Sequence, residues 1–163
     1  MTAGVTSVAV GMEWGMRIRS RTGSQVVEFA LILPILLVLV FGIIDFGLAM
    51  FDKAVVTNAS REAARAGIVY REPRVTAAEV QAIAANYCSN YLVTFGASTP
   101  TVAVERGVPD PDTGNVTWTS GAVMDSGDFL RVTVTYVYNY GTIGSLLPLS
   151  PLTLTGRTIM RAE

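Results

Sequence analysis

Residues 17–51 read RIRSRTGSQVVEFALILPILLVLVFGIIDFGLAMF. Arg17, Arg19 and Arg21 precede Gly23, Glu28 follows five positions later, and from Phe29 the chain turns apolar. Phe29 to Phe51 is 23 residues with one formal charge, Asp45. At a rise of ~1.5 Å per residue the run makes a helix ~35 Å long, enough to cross a hydrocarbon core of ~30 Å. The stretch predicts a single membrane-spanning helix.

Composition agrees. Half of the 163 residues are hydrophobic, 15% are charged, and the mean hydropathy is +0.44. Beyond the span about 100 residues remain, room for one small domain with a modest core. A net charge of -1 gives no reason to expect nucleic acid as a partner. With no histidine and a single cysteine, Cys88, neither a structural zinc site nor an intrachain disulfide is available. Cys88 reads as a buried free thiol, and no cofactor is expected.

The basic residues at 17, 19 and 21 hold the N-terminal flank in the cytoplasm by the positive-inside rule, and Asp52 and Lys53 cancel on the other flank. Residues beyond about 52 are then extracytoplasmic. An ordinary signal peptide places small residues after a shorter apolar stretch. Here the small residue behind a basic patch, Gly23, comes before the apolar run. That order describes a leader, residues 1–23, removed on the cytoplasmic side while the helix stays with the mature chain. Met12 and Met16 are alternative starts, the second leaving the leader MRIRSRTG.

Gly23, four residues, then Glu28 and Phe29 resembles the processing site of class-IV prepilins. The longer string of Gly23, Glu28, Phe29, Ala30, Leu31, Pro34, Leu36 and Leu37 resembles the TadE-like family. So do Gly42-Ile43-Ile44-Asp45-Phe46-Gly47 and the Ala/Arg-rich helix after it. The resemblance is dense over 17–67 and thin over 68–128. It implies a minor pilin-like subunit, or pseudopilin, of the tight-adherence (Tad) system that assembles Flp, or type IVb, pili for cell adhesion. It also implies cleavage after Gly23 by a prepilin peptidase, with Ser24 as the new N-terminus. The implied partners are the lipid bilayer, the peptidase, a TadF-like subunit, the Flp major pilin and the Tad inner-membrane platform.

Glu28 has two readings. A carboxylate inside a bilayer costs ~2.5–3.5 kcal/mol, so it needs a partner, and the resemblance supplies the amine of Ser24 in a neighbouring subunit. Alternatively it rests at the cytoplasmic interface, favoured by the helix dipole. Pro34 removes a backbone donor inside the span, either as a soft point for leaving the lipid or as a tolerated proline. Asp45 falls ~25 Å beyond Glu28, near the outer interface where a charge is cheap; subunit pairing is its sharper alternative. Ala59, Ala63 and Gly67 leave one helix face low, for packing within the chain or against a partner.

No glycine or proline interrupts Leu48–Ala66, so the helix is expected to run over 24–67, with Gly67 as its C-cap. Thr76 and Glu79 form a capping box, and Val80, Ile83, Ala84, Tyr87 and Tyr91 repeat at helical spacing, which predicts a helix over 77–91 with its tyrosines in the core. From Thr99 the period is two. Strands are expected around Val102–Glu105, Val116–Trp118 and Leu130–Tyr138, and from Leu152 to Met160. Gly107–Gly114 reads as a turn-rich loop whose aspartates lack the ligand spacing of a calcium loop. The fold class is α+β: a long transmembrane helix continuing into a pilin-like periplasmic domain, residues 68–163, with one helix and three or four antiparallel strands.

Ser98, Ser126 and Ser145 have no histidine to activate them, and no phosphate loop is present, so no enzymatic activity is expected. Three functions stay open: a processed pilin-like subunit placed in the inner membrane or in a pilus, an unprocessed single-pass anchoring protein of the same system, and an exported hydrolase or binding domain.

Overall fold

The computed structural model describes residues 22–96, 98–121, 125–141, 144 and 147–162. Met12, Met16, Arg17, Arg19 and Arg21 lie outside them, as does Ser145. Two helices and four strands follow in chain order: α1 (Thr22–Ile68), α2 (Ala77–Tyr91), β1 (Thr101–Pro109), β2 (Val116–Ser120), β3 (Phe129–Tyr138) and β4 (Leu152–Arg161). The chain divides into two units between Leu36 and Leu37. The first carries the start of α1; the second carries the rest of α1 and everything downstream.

The α+β class stands. The strands form one antiparallel sheet in the order β2-β1-β3-β4. β3 is its centre, and strict alternation there explains the packing: Leu130, Val132, Val134, Tyr136 and Tyr138 are buried, while Arg131, Thr133 and Thr135 face outward. The buried face meets Ala49, Val56, Ala59, Ala63 and Ala64 of α1 and Val80, Ala84 and Cys88 of α2 in one core. The low face around Ala59 and Ala63 therefore packs within the chain.

Small residues let backbones touch. A Cβ on Gly156 would sit 2.6 Å from the Val56 carbonyl oxygen, so β4 lies directly on α1 there. The Ser60 and Thr158 hydroxyls pair at 2.8 Å, and Lys53 donates from Nζ to the Thr155 carbonyl, tying the same crossing.

Several expectations are corrected. Gly67 is inside α1 and not its cap; a Cβ there would meet Leu130 Cδ2 at 2.4 Å, so close packing of α1, α2 and β3 is what glycine serves. β1 continues through Gly107, Val108 and Pro109 because β2 pairs with them, and the turn begins only at Asp110. In α2 the capping box forms as expected, with the Glu79 amide donating to the Thr76 hydroxyl and the Thr76 amide to Glu79. Its buried stripe is Val80, Ala84 and Cys88; Tyr91 is exposed and leans on Tyr87 at 4.8 Å between centroids.

Gly156→Val should force β4 off α1 and cost about 1–3 kcal/mol, the usual range for overpacking. Gly47→Ala, where a Cβ meets nothing within 4 Å, should leave stability unchanged or raise it slightly. Denaturant unfolding of the purified chain in detergent, followed by circular dichroism, compares the two.

Candidate functional site

Gly23, Ser24, Glu28 and Phe29 sit on the first turns of α1 and are all exposed. Ser24 and Glu28 are four positions apart, so they share a helix face, separated by ~6 Å of rise. A Cβ at Gly23 meets nothing within 4 Å. Among the described residues nothing therefore requires glycine at 23. Glu28 is the one charged side chain between Gly23 and Ile44, and it has no hydrogen-bond or ion-pair partner among the described residues. Pro34 lies within the continuous α1, exposed.

From Gly23 to Ile44 no residue is buried. The first buried residue is Asp45, 2% exposed, so the fold itself encloses this side chain. The sheet reaches α1 at this level: Tyr138 donates its hydroxyl to the Asp45 carbonyl at 3.2 Å. Asp52 and Lys53, adjacent in the chain, take different partners, Lys53 the Thr155 carbonyl and Asp52 the Val93 amide. Asp52 is fully buried and its Oδ1 accepts the Val93 amide at 2.9 Å, fixing the chain just past α2; its Oδ2 has no partner. The signal for Asp52 was in the sequence: Asp45, Ala49, Asp52, Val56, Ala59 and Ala63 follow the three- and four-residue steps of one helix face.

Elsewhere the polar groups are satisfied by neighbours in the fold. Arg131 forms a bidentate pair with Glu105, at 2.5 and 2.7 Å, and stacks 4.0 Å over the Trp118 ring. Arg106 bridges Asp125 and Asp128. Asp110 accepts from the Asp112 amide and the Thr113 hydroxyl, an ordinary turn. Ser98 takes a 2.7 Å bond from Asn139. Among the described residues no three His, Cys, Asp or Glu side chains converge to hold a metal. Cys88 is fully buried, and burial pushes its thiol up to about 11.

These features define an α+β protein whose α1 is long and apolar enough to cross a membrane. Residues 23–65 match the family model described as TadE-like protein, the family that the string from Gly23 to Leu37 resembles. That family implies a function related to the Tad pilus. No curated protein and no solved structure matches the chain.

Two outcomes follow from the domain downstream of α1. Hydrogen bonds from Arg131 hold the Glu105 carboxyl below its ordinary 4.5. A carboxyl lowered in the folded state contributes stability above the unfolded pKa and loses it as pH falls through the folded one. Glu105→Gln should therefore lower stability at pH 7 and flatten its fall below pH 4.5, the two proteins converging in acid, in unfolding curves measured across that range. Cys88 should resist a maleimide in the folded chain at pH 7 and react only in denaturant, by mass shift.

Proposed function

We propose that the chain is a minor pilin-like subunit of a tight-adherence Flp, or type IVb, pilus assembly or secretion system, cut after Gly23 by a prepilin peptidase. One observation carries the reading: Gly23 and Glu28 are exposed on the first turns of an apolar helix whose own fold requires neither. A requirement that does not come from inside the molecule comes from outside it. For Gly23 the outside agent is the peptidase; for Glu28 it is the freed amine of Ser24 in a neighbouring subunit. A carboxylate left to lipid costs ~2.5–3.5 kcal/mol, and an ion pair between subunits offsets that cost where a solitary chain cannot.

The mature chain begins at Ser24, sits in the inner membrane with that end toward the cytoplasm, and displays residues 68–163 outside. Its work is structural, with no catalytic step of its own. Its partners are other pilin-like subunits, a TadF-like relative and the Flp major pilin among them, and the inner-membrane platform of the system. A second reading, an unprocessed single-pass anchor of the same system, keeps every structural element and differs only at the leader.

Mass spectrometry of the membrane fraction separates the two, since a first residue of Ser24 supports processing and an intact leader supports the anchor. Gly23→Asp should abolish the shorter species, and Glu28→Ala should be processed and inserted yet reduce assembly at least tenfold. Normal pilus formation by either variant would overturn the proposal.

A further inference from the structure

The end of the domain that lies beside Asp45 and Asp52 is unlike the rest of its surface. It is built from the end of β3, the start of β4 and the chain just past α2: Tyr138 pairs with Leu152 and bonds the Asp45 carbonyl, and Val93 bonds Asp52. Phe95 meets Tyr138 edge-on at 6.3 Å, and Tyr140 meets it at 5.7 Å. Both stretches that meet here are uncharged over long distances: Val80–Val104 and Val132–Gly156 contain no Asp, Glu, Lys or Arg. The charges of the sheet sit toward its other end, on Glu105, Arg106, Asp125, Asp128, Arg131 and Arg161, with Arg157 midway, opposite Thr133.

What this end exposes is apolar. Phe95, Leu147, Leu149 and Leu152 are 37–44% exposed. The helix beside them is apolar on its outward side too, with Phe46 63%, Met50 46% and Phe51 50% exposed at the same level as buried Asp45, Ala49 and Asp52. If the bilayer ended at Ile44, all of these would face water. The rise from Asp45 to Phe51 is ~9 Å. That matches the ~5–10 Å to which apolar groups settle into the headgroup–acyl boundary.

We propose that this end of the domain is a second membrane contact, in which Phe95, Leu147, Leu149 and Leu152 enter the outer lipid–water interface around the point where α1 emerges. The occupant is lipid, because the apolar side chains of this end adjoin those on the outward side of α1, and the nearby charge, Lys53, is engaged by the Thr155 carbonyl of β4. The carboxylates at 45 and 52 are tolerated at this depth because the sheet and the segment past α2 enclose them. Anchoring at α1 and at this end together fixes the domain's height and tilt on the bilayer, which one helix alone leaves free. The proposal rests on reading α1 as the span.

Hydroxyl-radical footprinting of the unmodified chain, one copy per nanodisc of zwitterionic lipid, tests it with internal controls. Leu149 and Val108 are 44% and 42% exposed, and Val108 lies on β1 away from this end. Ile43, on α1, reports the span itself. Protection of both Ile43 and Leu149, with Leu149 oxidised at least threefold more slowly than Val108 in low and high salt alike, is the expected result. Protection of Ile43 with equal rates at Leu149 and Val108 overturns the second contact while leaving the span intact. Equal rates at all three overturn both.

Discussion

The fold depends on one stripe of α1, the face that runs from Asp45 through Ala49, Asp52, Val56, Ala59 and Ala63 to Gly67. Its side chains are small or short, and that is why a sheet can lie on it closely enough for Gly156 to touch the Val56 carbonyl. Apolar burial supplies the drive, about 25 cal/mol per Å² removed from water, but the small residues decide where that burial happens. Before Asp45 the same helix buries nothing; after it, the face is covered residue by residue. A single continuous helix thus serves two environments, with the change marked by the first residue the sheet reaches.

That division explains what was legible in the sequence. α1 and α2 could be read because their signals are local: an uninterrupted apolar run, and Thr76 with Glu79 three positions apart. β3 could be read because it is buried on one face only, so Leu130 to Tyr138 alternate cleanly. Gly23 and Glu28 could be singled out for a different reason, since they lie within a linear string that the family model also matches. What stayed hidden depends on partners far along the chain. Gly67 looks like a cap until Leu130 is beside it, and Gly107 looks like a loop residue until β2 folds back. Tyr91 completes a helical repeat, yet nothing in the fold covers it.

Asp45 and Asp52 show what a purely linear reading leaves out. Along the sequence they look like charges at the end of a span, where water is cheap. In the fold both are enclosed, because the sheet begins to cover α1 at Asp45. The Asp52 carboxylate holds the Val93 amide through Oδ1, which fixes how the segment past α2 approaches α1. Burial of a carboxyl is costly unless it is hydrogen-bonded, and here only one oxygen is. Such a group is poor cement. It acts as a positional pin, since an aliphatic side chain of similar size would pack as well but accept no bond from Val93.

Of the four acidic residues of α1, Asp45 and Asp52 are enclosed and Glu28 is not, and the contrast bears on assembly. The domain encloses Asp45 and Asp52, and each has its place without any second molecule. Glu28 has no such cover: among the described residues nothing donates to it, and its neighbours Val27, Phe29 and Leu31 are apolar and exposed. The same chain shields two carboxylates and leaves Glu28 bare at the end where a new amine would be created by cleavage. In the proposed assembly a carboxylate in hydrocarbon and a freed α-amine of a neighbouring subunit would attract each other strongly, because the local dielectric is low. Among the described residues, Glu28 is thus the acidic side chain of α1 that is set in apolar surroundings with no cover from the fold, which is why the proposed association is assigned to the first turns of α1.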